Sequence, residues 1–359
     1  MPTVTSTEVD FTKVEGLVGH LVGLMTGAAV SAAVALGDRL GLYRAMNGSR
    51  PMSADRLAEK SNCNPRLVRE WLDSQAAAGL VTFDASADTY NLSPEAALVL
   101  ADEDSPAFLA GGVGVLESMF VDLPKMVAAF QGDGKVAWGD HHESLYVGTA
   151  RFFRPGYRTN LVADWIPAMT GVSEKLSAGG SVADVGCGFG HSCTVLAEAF
   201  PTARVHGFDF HEPSVLAARD NAKALGLSDR ITVDVAGSAS FTGSFDLICF
   251  FDCLHDMGDP VAIARHARSQ LAPGGSVLLV EPFALDGRAA NLAGNPAAAL
   301  FYSASTFLCT PSSLSQPGAR ALGAQSGERA MREVFTAAGY SSFRRAHESP
   351  FNIVYEATA

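Results

Sequence analysis

The chain has 359 residues, 48% of them hydrophobic and 18% charged, which is room for two domains with cores of their own and excludes a largely disordered polypeptide. Its formal charge of -12 repels phosphate backbones and anionic lipid heads, so nucleic acid and membrane surfaces are excluded as main partners. Six cysteines at 63, 187, 193, 249, 253 and 309 form no C-x-x-C pair; they read as reduced thiols of a cytoplasmic protein, and no metal is expected.

In chain order, Met1 to Gly16 lacks the basic segment, apolar run and cleavage site of a secretory signal, in keeping with a cytoplasmic location. Leu17 to Gly37 is long enough to cross a bilayer. Its small Ala and Gly residues, with His20, Thr26 and Ser31, instead predict a buried helix that meets a second subunit in a homodimer. Ser53 is placed to cap one helix bearing Leu57, and Pro65 to open the next, with Leu67, Val68, Trp71 and Leu72 facing inward. Strand-like stretches at 79–83 and 90–93 complete a winged helix. Arg66 and Arg69 would suit a DNA-recognition helix, but Glu70, Asp73 and the acidic wing at 84–88 oppose that reading.

Residues 101–172 are helical where readable and are expected to bridge an N-terminal domain (1–100) and a C-terminal domain (173–359). Clustered His141, His142 and Phe153 beside glycines suit a substrate pocket wall; an aromatic core between domains is the plain alternative. A metal on His141, His142, Glu143 and His255 is disfavoured, because adjacent ring side chains point apart.

From Val182 onward strand and helix alternate. Strands are predicted near 182–186, 204–210, 230–235, 245–251 and 275–281, with helices near 191–200, 213–226 and 260–272, which defines an α/β fold with a parallel, doubly wound sheet. A helix at 327–338 then leads to two strand-like stretches, 341–347 and 351–357, while 284–325 reads as a lid or pocket wall. The run Val182-Ala-Asp-Val-Gly-Cys-Gly-Phe-Gly-His-Ser192 is a ligand cradle: glycines let a ligand approach the backbone, and a helix N-terminus follows with unpaired N–H groups. The dinucleotide fingerprint wants its third glycine where His191 stands, which argues against NAD. Asp184 ends the first strand and Asp209 the second, spaced to meet a ribose diol.

These residues resemble the first motif of the class I methyltransferases that use S-adenosylmethionine. The resemblance implies a Rossmann-like domain ending in an antiparallel hairpin. It further implies S-adenosylmethionine as cofactor, S-adenosylhomocysteine as product, and a cofactor site built from Asp184, Gly186, Cys187, Gly188, Gly190, Asp209, Phe210, Phe251 and Asp252. Many relatives carry an Asp after the third strand; here Ser238 takes that place, with Phe241 as a stacking alternative. The pair His255-Asp256 resembles the His-Asp pair of small-molecule O-methyltransferases, which implies His255 as general base. An imidazole is chemically suited to take a hydroxyl proton near neutral pH, although a His that only organises the loop is the plain reading. Glu281 would orient that base or bind substrate, and Tyr302 and Phe307 would line the substrate pocket. The winged helix resembles the dimerisation domain of the O-methyltransferase group, and Phe152 to Tyr157, Asp252 to Pro260 and Thr310 to Gln316 are similar to a bacterial group of winged-helix methyltransferases with a mycobacterial member. The implied function is methyl transfer to a small molecule, most plausibly at oxygen. Transfer to nitrogen, sulfur or carbon, and a catalytically silent ligand-sensing regulator, are the alternatives.

Overall fold

A computed structural model describes residues 9–359; the first eight residues of the segment read above for a signal lie outside them. The chain divides into two compact units, one ending at Leu116 and the other spanning Glu117–Ala359.

In the first unit a helix runs Phe11–Arg39, capped by the Asp10 carboxylate, which accepts from the N–H groups of Thr12 and Lys13. The expectation that this helix is buried is corrected. Leu17, Leu21, Leu24 and Met25 are each more than half exposed, and only Val34, Gly37 and Asp38 are buried. The helix has the length and apolar composition to cross a membrane. Its C-terminal end alone joins the core, where Gly37 is required: a Cβ there would lie 2.3 Å from Trp71 Cζ2. Trp71 Nε1 donates to Ala33 O across the same contact (2.8 Å).

Ser53 caps the helix Ala54–Ser61, and Asn64 caps Pro65–Ala77 with proline at its first position. Val68, Trp71, Leu72 and Gln75, at the i, i+3, i+4, i+7 spacing, form the buried stripe of the second helix. Leu67 was expected to point inward and does not; it is 70% exposed, because it stands about 100° of helix rotation off that stripe. Strands β1 (Thr82–Asp84) and β2 (Thr89–Asn91) pair antiparallel as the wing. Arg66 is salt-bridged to Glu70 at 2.5 Å, and Arg69 lies 3.8 Å from Asp88.

The second unit is built on seven strands: β3 (Ser181–Val185), β4 (Arg204–Asp209), β5 (Ile231–Val235), β6 (Phe245–Phe251), β7 (Leu271–Pro282), β8 (Ser342–Glu348) and β9 (Asn352–Thr358). Their order is β5-β4-β3-β6-β7-β9-β8, parallel from β5 to β7 and antiparallel at β9 and β8. Strand order reverses between β3 and β6, the switch point at which such sheets open a crevice beyond their carboxyl ends. Near-continuous apolar runs such as Phe245–Phe251 follow from burial on both faces, and two apolar clusters pack there, one around Val182, Leu196 and Leu247, the other around Val185, Phe250 and Phe335. Two helical stretches, Tyr157–Trp165 and Ser305–Cys309, are wound as π-helix, a rare form that concentrates at functional sites.

Candidate active site

The crevice is a cleft of about 1020 Å³, counting its open mouth. Its floor is the glycine loop. Gly186, Gly188 and Gly190 all have positive φ (80°, 52° and 70°), a region that disfavours any side chain. A Cβ on Gly186 would press on Cys253 Sγ at 3.1 Å, and one on Gly190 on Ala218 Cβ at 3.0 Å. Over Gly188 nothing lies within 4 Å, so the backbone there faces open space.

Acids surround this floor. Asp209, at the end of β4, accepts from Gly188 N–H (2.9 Å) and His211 N–H (2.8 Å), and burial raises its pKa despite those bonds. Asp184, at the end of β3, accepts from Ser192 Oγ (2.5 Å) and Cys193 Sγ (3.2 Å); burial pushes it up to about 6, and its Oδ1 has no hydrogen-bond partner. Asp252 follows β6 with φ of 50°, a left-handed backbone that costs a non-glycine residue on the order of 1 kcal/mol and that clusters at working sites. Asn352 Nδ2 donates to its Oδ1 (2.8 Å), while Oδ2 is buried and unpartnered. Burial, then Glu281, holds Asp252 well above the usual carboxylate range, and burial pushes Asp256 up to about 7.

Of the residues expected at the cofactor, Gly186, Cys187, Gly188, Asp209, Phe210, Ser238, Phe251 and Asp252 line the cleft; Asp184 and Gly190 stand behind its wall. Phe241 does not take part in the lining; it is buried against Phe208, with ring centroids 5.2 Å apart. Phe153 and Asp256 line the cleft, whereas His255, Glu281, His141, His142, Tyr302 and Phe307 do not. Phe307 packs on Met126, Ala129 and Val136 instead. Sequence reasoning missed Trp138, Tyr146, Tyr157, His191, Ser312 and Gln316 on the walls. The signal for His191 was its place as first residue of the helix after the loop; burial, then Arg154 and Arg158, lowers it to about 4, so the ring is neutral.

His255 sits just behind the wall formed by its neighbours Cys253, Asp256 and Met257. Its side chain is 4% exposed, and Nδ1 lies 2.5 Å from Glu281 Oε2, at the end of β7. Nε2 lies 3.3 Å from Cys309 Sγ. Burial alone would depress this imidazole, but Glu281 and then Cys309 outweigh it and hold the pKa well above the ordinary value. A second buried pair joins His141 Nδ1 to Asp122 Oδ2 at 3.0 Å. Asp122 also accepts from Lys125 Nζ (2.7 Å) and His142 N–H (2.9 Å); His141 is lowered, by burial, and its Nε2 is unpartnered. Among the described residues no group of three or more His, Cys, Asp or Glu is arranged to hold a metal ion.

A glycine cradle at the switch point, an acid at the end of each of two neighbouring strands and a terminal antiparallel hairpin are the architecture of the class I methyltransferase fold. Residues 176–326 match the family model of a methyltransferase domain, and residues 28–102 that of an Rv2258c-like winged HTH domain; the chain carries both. A 27-O-demethylrifamycin SV methyltransferase of Amycolatopsis mediterranei is 29% identical over 145 residues, 40% of this chain and 48% of that protein. The chain spans about half or less of the length of this and the next curated relatives. Among solved structures, human N-acetylserotonin methyltransferase in complex with S-adenosylmethionine aligns over 99% of both chains, with 14% identity and a TM-score of 0.72. Mitomycin 7-O-methyltransferase aligns over 98% of this chain and 100% of its own, with 18% identity and a TM-score of 0.64. At such identities these likenesses speak for the fold.

The cleft fits the cofactor of this class. The open space over Gly188 admits a ligand to the backbone, and the carboxyls of Asp209, Asp252 and Asp256, which burial holds above their ordinary pKa, line the cleft where a cationic ligand would favour their ionised forms.

Proposed function

We propose that this protein transfers a methyl group from S-adenosylmethionine to a hydroxyl oxygen of a small molecule, with His255 as the group that takes the proton. The observation that carries the reading is the His255–Glu281 pair, 2.5 Å apart at the carboxyl edge of the sheet, directly behind the acid-lined cleft. When bound, the cofactor would supply a sulfonium-bound methyl group for the acceptor oxygen, with S-adenosylhomocysteine as the leaving product.

Everything else is alignment and proton handling by the chain. Gly186 and Gly188 admit the methionine end, Asp209 holds the ribose hydroxyls, and Ser238 and Phe210 meet the adenine. Trp138, Tyr146 and Phe153 form an aromatic wall that excludes water and orders an acceptor ring. Holding two reactants at reacting distance can contribute about 7 to 11 kcal/mol, more than any single side chain. Glu281 accepts from His255 Nδ1–H, which fixes the tautomer that leaves Nε2 to receive the acceptor proton. Asp256 shapes the adjoining wall.

The homodimer is part of the same reading: a second copy covers the apolar helix Phe11–Arg39, and sedimentation should give twice the chain mass. Dimerisation there, with six unpaired cysteines, suits a cytoplasmic enzyme better than a membrane anchor. The pairing of Arg66 with Glu70 and Arg69 with Asp88 supports the enzyme over a DNA-binding regulator, since both cations of the second helix already face acids. The test is transfer of labelled methyl from S-adenosylmethionine to a panel of phenols, hydroxyquinones and their amine and thiol analogues. Transfer to hydroxyls that H255A abolishes supports the reading. Wild-type turnover in H255A would move the methyl to nitrogen, sulfur or carbon, where no dedicated base is needed.

A further inference from the structure

His255 is closed at both ring nitrogens. Glu281 takes Nδ1, and Nε2, the nitrogen a base would use, faces the Cys309 thiol at 3.3 Å. Cys309 ends the π-helical stretch Ser305–Cys309 and is 8% exposed. Its place is built from several sides. Gly323 N–H donates to His255 O (3.2 Å), Ala324 N–H donates to Ser305 Oγ (3.2 Å), and a Cβ on Gly323 would lie 2.8 Å from that same Oγ. The segment after the turn is tied to the base loop as well: Gln316 Nε2 donates to Asp256 O (3.0 Å), and Ser313 Oγ donates to Met257 O (2.9 Å).

Resting on the reading above that His255 is the base, we propose that Cys309 is a positioning residue whose thiol occupies the acceptor-hydroxyl subsite, so that the acceptor oxygen enters by displacing Sγ from Nε2. A thiol is a weak hydrogen-bond partner, so it satisfies a buried nitrogen at rest and yields to an O–H, where a hydroxyl or carboxylate in its place would compete. Cys309 is the last residue of a π-helical stretch, a rare winding that concentrates at functional sites. An acceptor that takes the place of the thiol must present a neutral O–H to Nε2, as a phenol does.

The test uses the full chain saturated with S-adenosylhomocysteine, and phenol as probe, in wild type, C309A and C309S with labelled histidine. Phenol affinity is read from the Nε2 resonance of His255, identified by its loss in H255Q. C309A should bind phenol about tenfold tighter than wild type and C309S several-fold weaker, with the largest shift at His255. Equal affinities in all three proteins, or phenol shifts that bypass His255, overturn the proposal. Should C309A not fold, the sign of the C309S effect alone decides. Calorimetry of S-adenosylhomocysteine separates the two readings: a wild type that fails to bind it defeats the donor site, whereas normal binding with unchanged phenol affinities defeats only the thiol placeholder.

Discussion

Two buried imidazole–carboxylate pairs stand in the second unit, and they hold their protons oppositely. His255 and Glu281 lie 2.5 Å apart, His141 and Asp122 3.0 Å, and in both the ring meets its acid through Nδ1. What differs is how many donors share the carboxylate. Asp122 also accepts from Lys125 and His142, so its charge is spread and burial wins, which lowers His141. Glu281 has the imidazole as its side-chain partner, its Oε1 is unpartnered, and the undiluted charge raises His255. A His beside an acid is therefore not yet a proton carrier; the acid's remaining partners decide.

This contrast can be broken by substitution. The largest effect is expected from H255A, which should lower kcat by about 10²- to 10⁴-fold with affinity for S-adenosylhomocysteine unchanged, the range for loss of a general base. H141A should cost less than about tenfold, since that ring is buried in a structural pair, donating from Nδ1 to Asp122, and does not line the cleft. Comparable losses in both variants would erase the distinction.

E281Q sharpens it. Catalysis needs neutral His255, and a raised pKa places the acid limb of kcat/KM above the ordinary histidine value of about 6.5, with rate rising toward alkaline pH. Removing the Glu281 charge lowers that pKa, so the limb should move to lower pH by about one unit while the plateau rate falls. D122N should leave the limb in place and instead cost about 1 to 3 kcal/mol in denaturant unfolding, because Lys125 loses its buried ionic partner. The smallest effect concerns the floor of the cleft. At pH 7 binding of S-adenosylmethionine should release a fraction of a proton from Asp256, held at about 7, because the sulfonium favours its ionised form. S-adenosylhomocysteine, lacking that charge, should release less, as calorimetry in buffers of different ionisation enthalpy would measure.

Much of this was legible in the sequence where the cause is local. The glycine loop, the acid at each strand end and the cap at Ser53, which accepts from Arg56 N–H at 3.3 Å, depend on residues close in the chain. The seven strands and the helices between β3 and β7 fell within a few residues of expectation, because apolar runs and capping residues bracket them, whereas the helices of 284–325 were not foreseen. Glu281, 26 positions from His255, was legible as the strand-end acid that faces the base, whereas Cys309, 54 positions away, carried no signal. Tyr302 and Phe307 were chosen as aromatics of a lid, yet helix rotation turns Phe307 toward Met126, and nothing in a single sequence fixes that phase. The N-terminal helix misled for another reason: its apolar surface exceeds what one chain covers, and a sequence shows that surface but not its cover.

The most direct test of the account is calorimetric titration of the full chain with S-adenosylhomocysteine, in wild type and in D209A. One binding site per chain in the wild type, weakened at least about tenfold in D209A, is the predicted result, since Asp209 would lose its bonds to the ribose hydroxyls. No binding, or equal affinity in both proteins, would contradict it.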